Sequence, residues 1–144
     1  MLVAGALMWA LDRWLPLAHW IDPPWNRMGA VPVALGIAVA AAALARLHQA
    51  QTTANPVDLS KSSRLVTDGI FRVSRNPMYL GLSLLLIGWA LWLGNASPWS
   101  IPPLFAILIT RVQIIPEEQA LGRLFGEQYF AYRRRAARWL GVAR

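Results

Sequence analysis

The chain is 144 residues long, 56% hydrophobic and free of cysteine, which excludes disulfides, thiolate metal sites and cysteine nucleophiles. So apolar a composition over the length of one domain argues for a membrane protein rather than an ordinary soluble globule. The net charge of +7 suits the loops on one side of a bilayer better than nucleic-acid binding, given where the arginines fall.

Taken in chain order, four apolar segments emerge: Leu2 to Leu17, Ala30 to Leu47, Pro77 to Leu93, and Pro98 to Ile115. Each approaches the roughly 20 residues needed to cross a bilayer, although the first is short and carries Asp12 and Arg13. The expected fold is therefore all-α, a polytopic bundle of about four transmembrane helices in a single domain spanning 1–144. Its first two helices occupy 1–47, and 48–144 holds a long loop, a helical hairpin and a C-terminal helix.

Pro23-Pro24 separates the first two segments, and Asn95-Ala96-Ser97-Pro98 turns the last two into a hairpin. There Ser97 is expected as N-cap, with Pro98 at the first helical position. Gly36 and the alanine run Ala38 to Ala45 would let the second helix approach its neighbours closely. Trp9, Trp14, Trp20, Trp25, Trp99 and Trp139 fall near segment ends, where indole rings favour the headgroup boundary.

The basic residues are one-sided. Arg46, Lys61, Arg64, Arg72 and Arg75 lie in or beside the middle loop, and the remaining seven of this set are the arginines from Arg111 onward. With four crossings all of these share one face, which the positive-inside rule makes cytosolic, together with both termini. After Pro116 a helical period of Leu121, Leu124, Phe125, Gln128, Tyr129, Tyr132, Ala136 and Trp139 predicts an amphipathic helix on that side.

Two constellations could carry chemistry. The middle loop, QTTANPVDLSKSSRLVTDGIFRVSRNPMYLG, is far longer than a connection requires and ends in Arg75, Asn76, Pro77, Tyr79 and Gly81. Pro77 fits the first turn of the third helix with Asn76 as its N-cap. The second constellation is Pro116-Glu117-Glu118, a favoured helix start in its own right. Across the hairpin, Arg72 and Arg75 are expected to face Glu117 and Glu118. Arg111 lies about 6 Å inside the Pro116 boundary, where it either snorkels or points inward. His19 and His48 are isolated, so no metal site is expected.

The order TTANP, RLVTDGIFRVSRNPMYLG, a tight hairpin and then IIPEEQALGRLFGEQYFAYRRR resembles the integral-membrane isoprenylcysteine carboxyl methyltransferases and their bacterial relatives, with phospholipid N-methyltransferases as more distant kin. That family encloses S-adenosylmethionine with an Arg-His-Pro-x-Tyr-x-Gly element and a later Glu-Glu pair. The resemblance implies cofactor binding by Arg72, Arg75, Asn76, Pro77, Tyr79, Gly81, Glu117 and Glu118, with S-adenosylhomocysteine as product. Asn76 replaces the family histidine, which keeps hydrogen bonding and removes a titratable group.

Methyl transfer is an in-line displacement that needs alignment and dryness but no metal. Arg111 and Glu117 are the expected catalytic residues, Arg111 orienting or stabilising an anionic nucleophile with Glu117 or Glu118 fixing it. The expected partners are membrane lipid and an apolar or lipid-linked methyl acceptor, with no nucleic acid and no metal. Two rival readings stay open on the residues: a non-enzymatic membrane interaction protein, or a degenerate relative that binds cofactor and transfers nothing.

Overall fold

A computed structural model describes residues 1–50 and 64–141. The TTANP element and Lys61 lie outside the described residues. Among the described residues the chain is all-helical, with one isolated bridge between His19 and Asn95 in place of any sheet. The helices are α1 (Leu2–Trp14), α2 (Ala30–Gln49), α3 (Pro77–Leu93), α4 (Ile101–Ile109), α5 (Ile115–Phe125) and α6 (Glu127–Arg133). Short 3-10 turns, Trp25–Gly29, Gly69–Arg72 and Ser97–Ser100, lead into α2, the α3 entry and α4.

Among the described residues two continuous helical stretches are long and apolar enough to cross a bilayer: Trp25–Gln49, of 25 residues, and Ser97–Phe125, of 29. Only 17% and 22% of their apolar windows are buried inside the protein, so neither is the core helix of a soluble fold. Their exposed side chains include Val31, Leu35, Ile37 and Leu44 on the first and Leu104, Ile107, Leu108 and Val112 on the second, a surface suited to lipid. The other two segments are shorter. α3 has 17 residues and α1 has 13, or about 26 and 20 Å at 1.5 Å per residue against a core of roughly 30 Å. The first apolar segment ends early because Leu15-Pro16 leaves the helix, and residues 15–18 run as irregular chain.

The second long helix corrects an expectation. Pro116 does not begin a new helix: α4 passes through a π-helical turn, Thr110–Ile114, directly into α5. A proline inside a helix removes one N-H and crowds the carbonyl four residues back, and a wider turn just before it relieves that clash. The amphipathic helix expected beyond Pro116 is instead broken at Gly126, whose φ of 50° lies in the left-handed region that favours glycine. Tyr129, Tyr132 and Ala136 of the expected face are buried, while Leu124 and Gln128 are exposed.

The chain divides into two compact units. The first holds Met1–Ala38 and Gly81–Leu108. Its core is Met8, Leu86, Ala90 and Ile101, with Ala4, Leu11, Leu93, Trp99 and Phe105 packed around them. Here α2 and α3 run antiparallel with glycines facing glycines. A Cβ on Gly36 would stand 2.6 Å from the Gly81 carbonyl, and one on Gly88 would stand 2.6 Å from the Gly29 carbonyl. The seven-residue spacing, from Gly29 at the end of the 3-10 turn to Gly36 in α2 and from Gly81 to Gly88 in α3, puts two close backbone approaches on one seam. Gly88→Ala is expected to force the helices apart and cost on the order of 1 kcal/mol or more, read as a lower melting temperature in detergent.

The short connections of this unit are stitched together. The Asn95 Oδ1 accepts from the backbone N-H of Ala18 at 3.3 Å and of Ala96 at 2.9 Å, and the Gly94 carbonyl accepts from Trp20 and Ile21. Ser97 is not the N-cap: Ala96 holds that position and Ser97 is the first residue of the turn, its hydroxyl donating to the Leu11 carbonyl at 3.3 Å. The hydroxyl thus ties α1 to the hairpin. The second unit, Val39–Leu80 with Ile109–Arg144, has a core of Tyr129, Tyr132 and Ala136 with Leu65, Phe71, Leu121 and Phe125 against it.

Candidate active site

The sequence-predicted polar residues gather in the second unit, in two clusters that share the first turn of α5. Successive helix positions point about 100° apart, so Glu117 and Glu118 enter different surroundings.

Glu118 is the inner one. Its side chain is 9% exposed and that of Arg75 is 8% exposed, at 3.1 Å between Arg75 Nη1 and Glu118 Oε1. Arg138 adds a two-pronged contact, Nε to Oε1 at 3.2 Å and Nη2 to Oε2 at 2.8 Å. Planar forks of this kind are the strong form of the ion pair. The bond to Glu118 raises the Arg138 guanidinium above its ordinary value. Arg75 Nη1 also donates to the Tyr129 hydroxyl at 3.3 Å, while its Nε is buried without a partner among the described residues. Two cations on one carboxylate leave this buried cluster with a net positive charge.

Glu117 is the outer one. Its Oε1 accepts from the Tyr79 hydroxyl at 2.6 Å and from Gln113 Nε2 at 2.8 Å. Gln113 lies four residues earlier, within the π turn, so the widened segment aims it at the acid. Among the described residues nothing occupies Oε2, and this half-buried carboxylate keeps one accepting oxygen open.

The mouth of α3 is held from the C-terminal side. The backbone N-H of Arg75 donates to the Ala137 carbonyl at 2.9 Å and that of Gly141 to the Val73 carbonyl at 3.1 Å. Asn76 occupies the cap position: its carbonyl accepts from Leu80 N at 3.0 Å, but its side-chain amide donates to the Arg138 carbonyl at 3.1 Å. An amide at this position supplies a donor that does not titrate. Pro77 opens α3 fully buried, as expected from its missing N-H.

Not every predicted residue joins these clusters. Arg72 is exposed in the 3-10 turn, and neither acid pairs with it among the described residues. Arg111 is exposed in the π turn beside Val112, and both glutamates are engaged elsewhere rather than fixing it. Gly81 belongs to the first unit, where its carbonyl faces Gly36. Conversely, sequence reasoning missed Gln113, Tyr129 and Arg138. The i, i+4 spacing of Gln113 and Glu117 was a usable signal, whereas nothing local marks Arg138.

Tyr132 closes the base of the cluster, its buried hydroxyl donating to the Phe71 carbonyl at 2.7 Å. Burial raises it well above the ordinary tyrosine value of about 10, and burial followed by the Glu118 charge raises Tyr129. Unfolded tyrosines then ionise first as pH rises. The stability these groups contribute is complete below about pH 10 and is lost as pH climbs through their folded values. Tyr132→Phe is expected to flatten the fall in melting temperature above pH 10, at a cost near neutrality of about 1 kcal/mol for the lost hydrogen bond.

Among the described residues the chain is thus all-helical, with helices suited to lipid and two adjacent carboxylates, one buried and one half-buried, at the start of α5. Residues 25–128 match the model of the phospholipid methyltransferase family, and the chain belongs to that family. It is 30% identical over 118 residues to protein-S-isoprenylcysteine O-methyltransferase A of Arabidopsis thaliana, covering 79% of this chain and 56% of that protein. It is 43% identical over 63 residues to an uncharacterized protein of Haemophilus influenzae, covering 44% of this chain and all of that protein. No solved structure gives a significant match. The expected resemblance thus holds on both sides, the isoprenylcysteine enzymes and the phospholipid family. The chain spans little more than half the length of the Arabidopsis relative.

Proposed function

We propose that the protein is an S-adenosylmethionine-dependent methyltransferase of the membrane, acting on an apolar or lipid-linked acceptor, with its site on the cytosolic side. The observation that carries this reading is Glu117, held by Tyr79 and Gln113 through one oxygen and open at the other. An anchored carboxylate with a free oxygen suits a ribose diol or an ammonium group, and Tyr79 beside it offers an aromatic wall. The donor set therefore fits the cofactor, which when bound supplies an electrophilic methyl group on a sulfonium.

The chain's own part is binding, alignment and exclusion of water. Glu117 fixes the polar end of the cofactor, while Glu118, saturated by Arg75 and Arg138, serves as the scaffold that holds Glu117 in place. Arg111 is exposed and without a protein partner among the described residues, which supports its reading as the cation for an anionic acceptor group. An acceptor with an apolar body reaches such a residue through the lipid. The cytosolic orientation rests on the one-sided distribution of arginine.

The test is calorimetric titration of the detergent-purified protein with S-adenosylhomocysteine. Saturable binding is expected, and its absence from folded protein would leave a non-enzymatic membrane protein. Arg111→Lys should spare this binding and depress turnover of a lipid-linked acceptor, because a compact ammonium does not reproduce a planar fork. Unchanged turnover would remove Arg111 from the chemistry, and binding with no turnover on any acceptor would mark a degenerate enzyme.

A further inference from the structure

We propose that Arg138 is a positioning residue of the site, clipping the start of α3 to the start of α5 and so setting the contact between Tyr79 and Glu117. The inference rests on the cofactor reading above.

Arg138 is bonded at both of its ends to the two elements that make the site. Its carbonyl accepts from the Ser74 hydroxyl at 3.4 Å and from the Asn76 amide at 3.1 Å, on either side of Arg75 at the mouth of α3. Its guanidinium reaches Glu118, the neighbour of Glu117, through two bonds of 3.2 and 2.8 Å. The segment that carries it cannot drift. Ala136 is fully buried, and two backbone hydrogen bonds at Ala137 and Gly141 bracket the residue on the chain segment 73–75.

From these two anchor points the two cofactor-facing side chains are close in sequence. Tyr79 lies three residues beyond Asn76, under one turn of α3, and Glu117 precedes Glu118. The Tyr79 to Glu117 contact is a single 2.6 Å hydrogen bond, which a shift of an ångström between α3 and α5 would abolish. Arg75 meets Glu118 at 3.1 Å through Nη1, and its Nε takes no hydrogen bond among the described residues. The fork from Arg138 supplies the second direction that fixes the carboxylate plane. The hydrogen bonds of Arg138 run to Ser74, Asn76 and Glu118, so its influence on Glu117 runs through Glu118.

The experiment is a double-mutant cycle read by S-adenosylhomocysteine affinity in one detergent: wild type, Arg138→Gln, Glu117→Ala and the double variant. Arg138→Gln is expected to weaken binding about tenfold in the wild-type background and to add little once Glu117 is gone. Arg138→Lys, which keeps the charge and loses the fork, should fall between wild type and Gln, and it replaces Gln in the cycle if that variant does not fold. The same loss in both backgrounds would show that Arg138 acts independently of Glu117 and would overturn the proposal, as would wild-type affinity in Arg138→Gln. Absence of binding in folded wild-type protein is a different result: it overturns the cofactor reading first, and the positioning role with it.

Discussion

Glu118→Gln is expected to cost about 3 to 5 kcal/mol and to loosen the whole second unit, because it removes the one anion from a buried cluster of two arginines. Arg75 is the residue that suffers. Its side chain is 8% exposed and cannot turn to water, and its Nε already lacks a partner. Arg138 is a third exposed and can partly recover solvation, so the penalty falls mainly on the α3 side. The measurement is thermal unfolding in detergent, with tryptic cleavage at Arg133 to Arg135 as a local readout beside the buried Tyr132. A companion variant separates charge from shape. Arg75→Met with Glu118→Leu should recover most of the stability, since a buried pair replaced by apolar groups of similar volume is often neutral or better. If Glu118→Gln melts like wild type, the cluster does not hold the fold.

The distribution of that energy explains which parts of the structure were legible in the sequence. Apolar length and proline punctuation placed α2, α3 and the hairpin correctly, because those features act locally along the chain. Pro116 misled for the same reason. Its local preference for a helix start was overridden by a π turn that keeps the helix continuous, and no pattern in TRVQI announces a widened turn. Gly126 was passed over within a convincing apolar period, although a glycine in the left-handed region ends a helix whatever its neighbours prefer.

The sequence led to the expectation that Arg72 and Arg75 face Glu117 and Glu118, and of these Arg75 meets Glu118 while Tyr79 meets Glu117. It did not locate Arg138, which reaches the cluster only because the tail folds back along residues 73–76. Such a contact is created by tertiary structure and has no spacing to read. Asn76 shows the complementary limit. A helix-capping side chain was the local expectation, yet the amide serves the tail instead and leaves the capping to the Asn76 backbone carbonyl.

Glu117→Ala should behave in the opposite way to the change at its neighbour. Binding of S-adenosylhomocysteine is expected to weaken by about 1.5 to 3 kcal/mol, roughly ten- to a hundredfold, with the melting temperature nearly unchanged. The loss is confined because Glu117 is only half-buried, and its partners Tyr79 and Gln113 are half-buried too and can turn to water. Removal therefore strands no charge. Tyr79→Phe offers a graded control: it deletes one of the two bonds to Oε1 while keeping the ring, so affinity should fall less than with Glu117→Ala. The decisive comparison is between the two adjacent acids. If Glu117 holds the cofactor and Glu118 holds Glu117, the first variant loses affinity alone, whereas the second loses stability and affinity together. Equal losses of affinity at unchanged stability in both would instead make each carboxylate a direct ligand, and the buried arginine pair would then have to give way for Glu118 to reach one.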